Sequence, residues 1–200
     1  MTIDVREARP EEFPAIAELT VAAYAALPGM GPLGAYGEEL ADIAGRGPSA
    51  VVLVAVDIAD IADIADIADD ADDASGAGTG RRSGQVLGDV TYYRRYADEM
   101  PKLTDTLGEL AGFRMLATDP AAQGRGVGAA LTMACVQRAR ADGAPGIALH
   151  TTNLMQAAQR LYQRLGFERW TALDVSFGRT RPVQVLGYRM LFEDTDSESA

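Results

Sequence analysis

FRMLATDPAAQGRGVGAALTMA, residues 113 to 134, holds three structural events in succession. Its first letters complete the run Leu110 to Thr118 (LAGFRMLAT), which reads as a strand, and Asp119-Pro120 stops that strand. Its last letters set Val127, Ala130, Leu131, Ala134 and Cys135 at i, i+3, i+4, i+7 and i+8, the apolar stripe of a helix that Ala141-Asp142-Gly143 ends. Between strand and helix lies Gln123-Gly124-Arg125-Gly126-Val127-Gly128. Glycine lets a backbone approach a ligand closely, and the free amides at a helix start face an anion. The combination points to a phosphate or pyrophosphate site, with a plain glycine-rich turn as the competing reading. Two other phosphate motifs fail: no Gly-Lys-Ser/Thr follows, and the glycine spacing is not GxGxxG.

Working outward, Thr2 to Ala8 alternates around Ile3 and Val5 as a first strand. Pro10-Glu11-Glu12 opens a helix with a proline in its first turn and acids at its positive end, and Phe13, Ile16, Leu19 and Ala23 form its stripe. Leu27 to Gly37, with four glycines and two prolines, is a loop, and Gly37 to Arg46 can hold a short second helix. Ala50 to Val56 (AVVLVAV) is a strand buried on both faces, and Gln85 to Tyr96 is its neighbour. After residue 143, Gly146 to Thr151 is a strand, and Met155, Ala158, Leu161, Tyr162 and Leu165 mark a helix closed by Gly166. Phe167 to Leu173 and Val183 to Leu191 supply the last two strands. The order β-α-α-β-β-β-α-β-α-β-β predicts a single α/β domain over residues 1 to 192 that is not regularly doubly wound, followed by a disordered tail from 193.

Composition narrows the function. The net charge is -11, but eight aspartates lie within residues 57 to 73, which hold no basic residue, leaving -3 for the rest. No large basic face is expected, so nucleic acid is not an expected partner. No apolar run approaches the roughly 18 residues a membrane span needs. The start MTIDVREARPEEF carries charges where a signal peptide needs an apolar core, and a single cysteine excludes a disulfide framework. The expectation is a cytoplasmic protein with Cys135 simply buried. Residues 57 to 84 repeat Ile-Ala-Asp with period three, which lets isoleucines drift about 60° per repeat around a helix. The stretch reads as a disordered or frayed acidic insertion at a hairpin tip, far from any ligand groove. Its spacing matches no EF-hand loop, so no metal is expected.

The stretch FRMLATDPAAQGRGVGAALTMA resembles the acyl-CoA motif of the GNAT superfamily, Gln/Arg-x-x-Gly-x-Gly/Ala after a strand and Asp-Pro. Downstream, LYQRLGF resembles the family's Leu-Tyr-x-x-x-Gly-Phe element at the expected distance. Element order agrees over roughly residues 2 to 191. The resemblance implies a mixed, largely antiparallel sheet with helices on both faces, splayed between the fourth and fifth strands. It implies acetyl-CoA as cosubstrate and direct transfer of the acetyl group to a small-molecule or peptide amine, with a homodimer left open. A bulge would free the backbone of Leu116, Ala117 and Thr118 to pair with the pantetheine arm. Amides of Gly124, Arg125, Gly126, Val127, Gly128 and Ala129 would cradle the pyrophosphate. The Arg125 side chain adds a charged contact or stays solvated.

Tyr162 matches the tyrosine that protonates the departing CoA thiolate, although it also belongs to its helix's apolar stripe. Many relatives carry an Asn seven residues earlier; here that position is Met155, and Asn153 either caps the helix or makes a weak CoA contact. The amine must lose a proton. His150, the only histidine, lies near where some relatives carry a catalytic glutamate, and competes as base with a purely structural role. Glu109, at the start of the same strand as Leu116, is the second candidate. Two rivals stand beside this reading. A non-catalytic acyl-CoA-binding or interaction domain has the same fold, and a nucleotide-binding domain would need an acidic ribose partner about 20 residues past the loop, which is missing.

Overall fold

The computed structural model describes residues 2–47, 49–58, 84–177 and 183–193. The acidic repeat and the tail from 194 lie outside the described residues, so the expectations for them stand on sequence alone. Strand β1 (Ile3–Glu7) leads through a 3-10 turn into helix α1 (Phe13–Ala25), followed by α2 (Ala35–Ala41), β2 (Ala50–Asp57) and β3 (Val86–Tyr93). Two helical turns, α3 (Tyr96–Glu99) and α4 (Thr104–Leu107), precede β4 (Ala111–Thr118). Helix α5 (Val127–Ala141), β5 (Gly146–Thr152) and α6 (Gln156–Arg164) follow, then β6 (Glu168–Arg169), β7 (Val175–Phe177) and β8 (Val183–Leu191).

Among the described residues the sheet runs β1-β2-β3-β4-β5-β8-β6, with β7 beside β8, and only the β4–β5 pair is parallel. Strand β2 shows why it had to be apolar throughout. Leu53 and Ala55 face the core under α5, while Val54 and Val56 face Ile16 of α1. Helices therefore cover both faces, as expected from the resemblance. On α1 the fully buried positions are Ile16, Thr20 and Tyr24, spaced i, i+4, i+8; Phe13, Leu19 and Ala23 lie at the flanks of that stripe. Helix α2 starts two residues before the expected Gly37 and stops at Ala41, and the chain after it turns to bury Arg46.

One expected strand is mostly something else. Phe167 to Leu173 forms only the two-residue β6 and then a 3-10 turn over Thr171–Leu173. The reason is Gly187 on β8. A side chain there would meet the Leu173 Cβ at 2.4 Å and the Trp170 carbonyl at 2.7 Å, so the chain folds down onto the glycine and cannot run on extended beside it. The described stems of the insertion, Ile58 and Gly84, stand nearer the glycine loop than a distant hairpin tip would. They leave and re-enter at the end of the sheet where β4 runs out, since Gly88 pairs with Thr118 and the Asp119 amide donates to the Leu87 carbonyl at 2.9 Å. The insertion is attached beside the glycine loop.

Candidate active site

Strand β4 is paired with β5 along Ala111, Gly112 and Phe113, opposite Ile147, Ala148 and Leu149, and then the pairing ends. Where it ends, β4 bulges: Thr91 of β3 faces Arg114, but Asp89 faces Ala117, so Met115 and Leu116 together oppose Val90. Met115 has φ of 56°, the left-handed region that an unbranched non-glycine residue enters only at a cost. The bulge reverses side-chain parity. Phe113 and Leu116 both face the α5 core, whereas Met115 and Ala117 pack with Tyr24 and Leu40 on the opposite side. Beyond the bulge, Leu116 to Thr118 has β3 on one edge and no β5 partner on the other. This is the predicted splay, and it coincides with the residues assigned to the pantetheine arm.

The glycine loop sits at the end of that free edge. The Asp119 carboxylate accepts from the Ala121 amide at 2.8 Å and turns the chain, and Gly124 and Gly126 take φ of 75° and 91°. The Ala130 amide donates to the Gly126 carbonyl at 2.9 Å, so the amides of Val127, Gly128 and Ala129 precede the helical ladder and remain for an anion. A Cβ on Gly128 would stand 3.3 Å from Leu161 and 3.8 Å from both Leu116 and Thr118. The start of α5, the free edge of β4 and α6 thus converge at one glycine. Arg125 is exposed at the rim.

Tyr162, next to Leu161, is buried at 4% exposure in an aromatic cluster: its ring centroid lies 5.8 Å from Phe113 and from Phe167 and 6.2 Å from Tyr188. Burial pushes its phenol well above the ordinary range, so the proton stays on at neutral pH. Cys135 is buried below it, its thiol likewise pushed up by burial. Asn153 does not cap α6. Its Oδ1 accepts from the Gln184 amide of β8 at 3.2 Å, while Gln159 reaches back to the Thr152 carbonyl at 2.9 Å. Met155 joins Tyr24, Met115 and Ala117 in an apolar cluster across the mouth of the splay.

The two base candidates part company. Glu109 is exposed, paired with Arg95 at 3.2 Å, and precedes the end of β4 opposite to the bulge, roughly 20 Å away at strand rise. His150 lies one residue past the last β4–β5 pair, at the vertex of the splay. Its ring is held at both nitrogens, by the Tyr96 hydroxyl at Nδ1 (3.0 Å) and the Leu173 carbonyl at Nε2 (2.9 Å). Burial holds its pKa below the usual imidazole value, so it is neutral at pH 7.

Sequence reading misses a third acid. Asp89, in register with Ala117, is fully buried, with its Oδ1 2.8 Å from the Thr20 hydroxyl and its Oδ2 3.6 Å from Arg46. Burial pushes its carboxyl up to about 7 against the pull of Arg46. A signal for it exists: one carboxylate inside the apolar strand VLGDVTYY. Arg114 is the other omission, joined on the same side of the sheet to Glu99 and, at 3.2 Å, to Glu39. A cleft of about 600 Å³ between α1 and the chain at Gly84–Val86 and Asp119–Pro120 holds none of the predicted site residues.

Comparison with known proteins bears on this geometry. The family model for the acetyltransferase (GNAT) family matches residues 52–167. Curated relatives include a mycothiol acetyltransferase of Gordonia bronchialis, 42% identical over 71 residues (36% of this chain and 23% of that protein). Another, from Thermobifida fusca, is 35% identical over 100 residues, or 50% and 29% of the two chains. The matched part thus spans under a third of those relatives. Among solved structures, a GCN5-related N-acetyltransferase from Kribbella flavida aligns at a TM-score of 0.62 with 21% identity, covering 95% of this chain and 98% of that one. The yncA protein of Salmonella typhimurium, with its cofactor acetyl-CoA, aligns at 0.62 with 17% identity over 100% and 99%. These likenesses show a shared fold. Because the family model spans more than half of the residues, from β2 through the glycine loop to Phe167, this chain belongs to the GNAT acetyltransferase family.

Proposed function

We propose that the chain is an N-acetyltransferase that receives acetyl-CoA in the wedge between β4 and β5 and passes its acetyl group directly to an amine. The observation that carries this is the break in β4–β5 pairing at the Met115 bulge, which leaves donors and acceptors of Leu116, Ala117 and Thr118 beside the anion-seeking start of α5. The pantetheine amides pair with that edge, and the amides of Gly124 and of Gly126 to Ala129 take the pyrophosphate; the Arg125 amide already donates to the Ala122 carbonyl, so Arg125 acts through its side chain, with Asn153 as the other outer contact. The residues fit the molecule: an extended polar arm meets unpaired backbone, and its anion meets free amides.

In the transfer, the amine nitrogen attacks the thioester carbonyl, a C–N bond forms and the C–S bond breaks. Tyr162, kept protonated at neutral pH by burial, supplies the proton that the departing thiolate needs. His150, neutral at the vertex, takes the proton that the amine gives up. Glu109 is too far along β4 to share the work. The acceptor is a small-molecule or peptide amine, and a cytoplasmic setting goes with this reading.

Calorimetry with acetyl-CoA, NAD and ATP tests the core of it. Acetyl-CoA should bind and the other two should not; folded protein that ignores acetyl-CoA would overturn the reading. A panel of phenylethylamine, putrescine, glucosamine and a short peptide with a free N-terminus, followed by CoA release, then identifies the acceptor class.

A further inference from the structure

His150 sits in a pocket made by two absences. On β5 it lies between β4 and β8, and each neighbour carries a glycine beside it: Gly112, paired with Ala148, and Gly187, paired with His150 itself. A Cβ on Gly112 would stand 2.1 Å from the Tyr96 ring, and one on Gly187 would stand 2.4 Å from the Leu173 Cβ. Across the first glycine Tyr96 reaches Nδ1; across the second the Leu173 carbonyl reaches Nε2. Both partners are fully buried, and Tyr96 and Leu173 belong to one apolar cluster with Tyr93, Leu107 and Ala148. The arrangement decides the tautomer. A carbonyl only accepts, so Nε2 bears the proton; in the neutral ring Nδ1 is then the lone-pair nitrogen, and the Tyr96 hydroxyl donates to it.

Resting on the reading of His150 as proton acceptor, we propose that Tyr96 is its positioning residue. It fixes the Nε2–H tautomer and caps the single basic nitrogen with its hydroxyl. When the amine gives up its proton, the Tyr96 hydroxyl turns off Nδ1, the amine N–H bond breaks and an N–H bond forms at Nδ1. The phenol ends neutral and the imidazole ends as imidazolium. The charged groups around the pair are few. Arg114 of β4, itself bound to Glu99 and Glu39, disfavours the imidazolium; Asp174, bound to Arg169 at 2.8 Å, favours it; Gly187 of β8 presents no side chain. A phenol that donates to Nδ1 also stabilises the neutral ring, since that bond is lost on protonation.

His150 is the only histidine, so one imidazole signal reports on the site without assignment. The experiment is a pH titration by NMR of protein labelled with ¹⁵N-histidine, for wild type and Tyr96→Phe, which keeps the ring and removes the hydroxyl. The wild type should show the Nε2–H tautomer. In Tyr96→Phe the tautomers should mix, and the titration midpoint should rise by about one pH unit, the worth of one neutral hydrogen bond. With whichever panel amine turns over, the acid limb of kcat/KM should rise by the same amount and kcat should fall about tenfold, with acetyl-CoA affinity unchanged. An Nδ1–H tautomer in the wild type, or a midpoint indifferent to the loss of the hydroxyl, overturns the role of Tyr96. An NMR midpoint that moves while the acid limb stays still overturns His150 as the base and leaves the Tyr96–His150 bond standing, so the two failures are told apart.

Discussion

The two ends of β4 belong to one eight-residue strand and do opposite work. Ala111 to Phe113 is paired to Ile147, Ala148 and Leu149 of β5, and Gly112 and Phe113 also to Tyr93 and Tyr92 of β3. Its side chains anchor two cores: Phe113 meets Tyr162 and Phe167, and Gly112 receives Tyr96. After the bulge at Met115, Leu116 to Thr118 keeps β3 and loses β5. Backbone groups left unpaired in water cost little, but buried they would cost as much as a lost hydrogen bond. The free end is therefore stable while its open edge faces water, and that edge stays available for pairing. The paired end sets the geometry, and the free end uses it.

Tyr162 packs on the paired end and is assigned a task at the free one. If its hydroxyl protonates the leaving thiolate, Tyr162→Phe should lower kcat by about 10²–10⁴-fold, the usual worth of a general acid. Acetyl-CoA affinity and thermal stability should stay nearly unchanged, because the ring contacts survive. Steady-state kinetics with the panel amine and calorimetry with acetyl-CoA check both. A variant that turns over normally would make Tyr162 a packing residue only.

A smaller effect, in stability, sharpens the contrast at Asp89, which stands beneath Ala117 of the free end. The Thr20 hydroxyl lies 2.8 Å from the Ile16 carbonyl and 2.8 Å from Asp89 Oδ1, and has one proton for two acceptors. If Asp89 carries the proton, it donates to Thr20, Thr20 donates to Ile16, and both bonds form. The raised pKa of about 7 agrees. For an acid whose folded pKa is raised, the unfolded chain ionises first, near the ordinary carboxylate value, so stability falls as pH climbs from there to about 7. Each unit of that rise is about 1.4 kcal/mol. Asp89→Asn imitates the protonated form and lacks the slope. Urea melts at pH 5 and pH 8 should show the variant gaining on the wild type at the higher pH; parallel losses would mean that Arg46 keeps Asp89 ionised throughout.

Much of the fold and of the site is legible in the sequence, and unevenly so. The glycine loop, the helix after it and the helix of Tyr162 are local patterns, where glycine positions and apolar spacing speak for themselves. The splay is legible by resemblance alone, because Met115 enters the left-handed region without a glycine to announce it. What escapes the sequence depends on pairs far apart in the chain. Tyr96 needs Gly112 to reach His150, and Leu173 needs Gly187, so neither contact has a signature in one segment. The strand expected over Phe167 to Leu173 fails for the same reason: its apolar residues answer to a glycine on β8.

The smallest expected effect concerns the acidic repeat, and the free end changes what it should be. β2 and β3 close on each other at Val56 and Val86, and a Cβ on Gly84 would stand 2.6 Å from the Asp57 carbonyl, so the two stems already meet. Replacing residues 59 to 83 with Asn-Gly asks only for an ordinary hairpin turn. Shortening a loop alters closure entropy by about 0.6 kcal/mol per halving, so the melting temperature should hold or rise slightly. The stems stand at the end of the sheet that carries the glycine loop, so the charge of the repeat can be tested against the binding of an anionic cosubstrate. At physiological ionic strength charges beyond about 8 Å are screened, and acetyl-CoA affinity should change by less than about twofold. In about 10 mM salt, where the screening length is about 30 Å, the shortened chain should bind acetyl-CoA several-fold more tightly than the intact one. Calorimetry at the two salt concentrations decides it. Equal affinities at both would mean that the repeat does not reach the loop's field, and weaker binding by the shortened chain would mean that it helps to build the site.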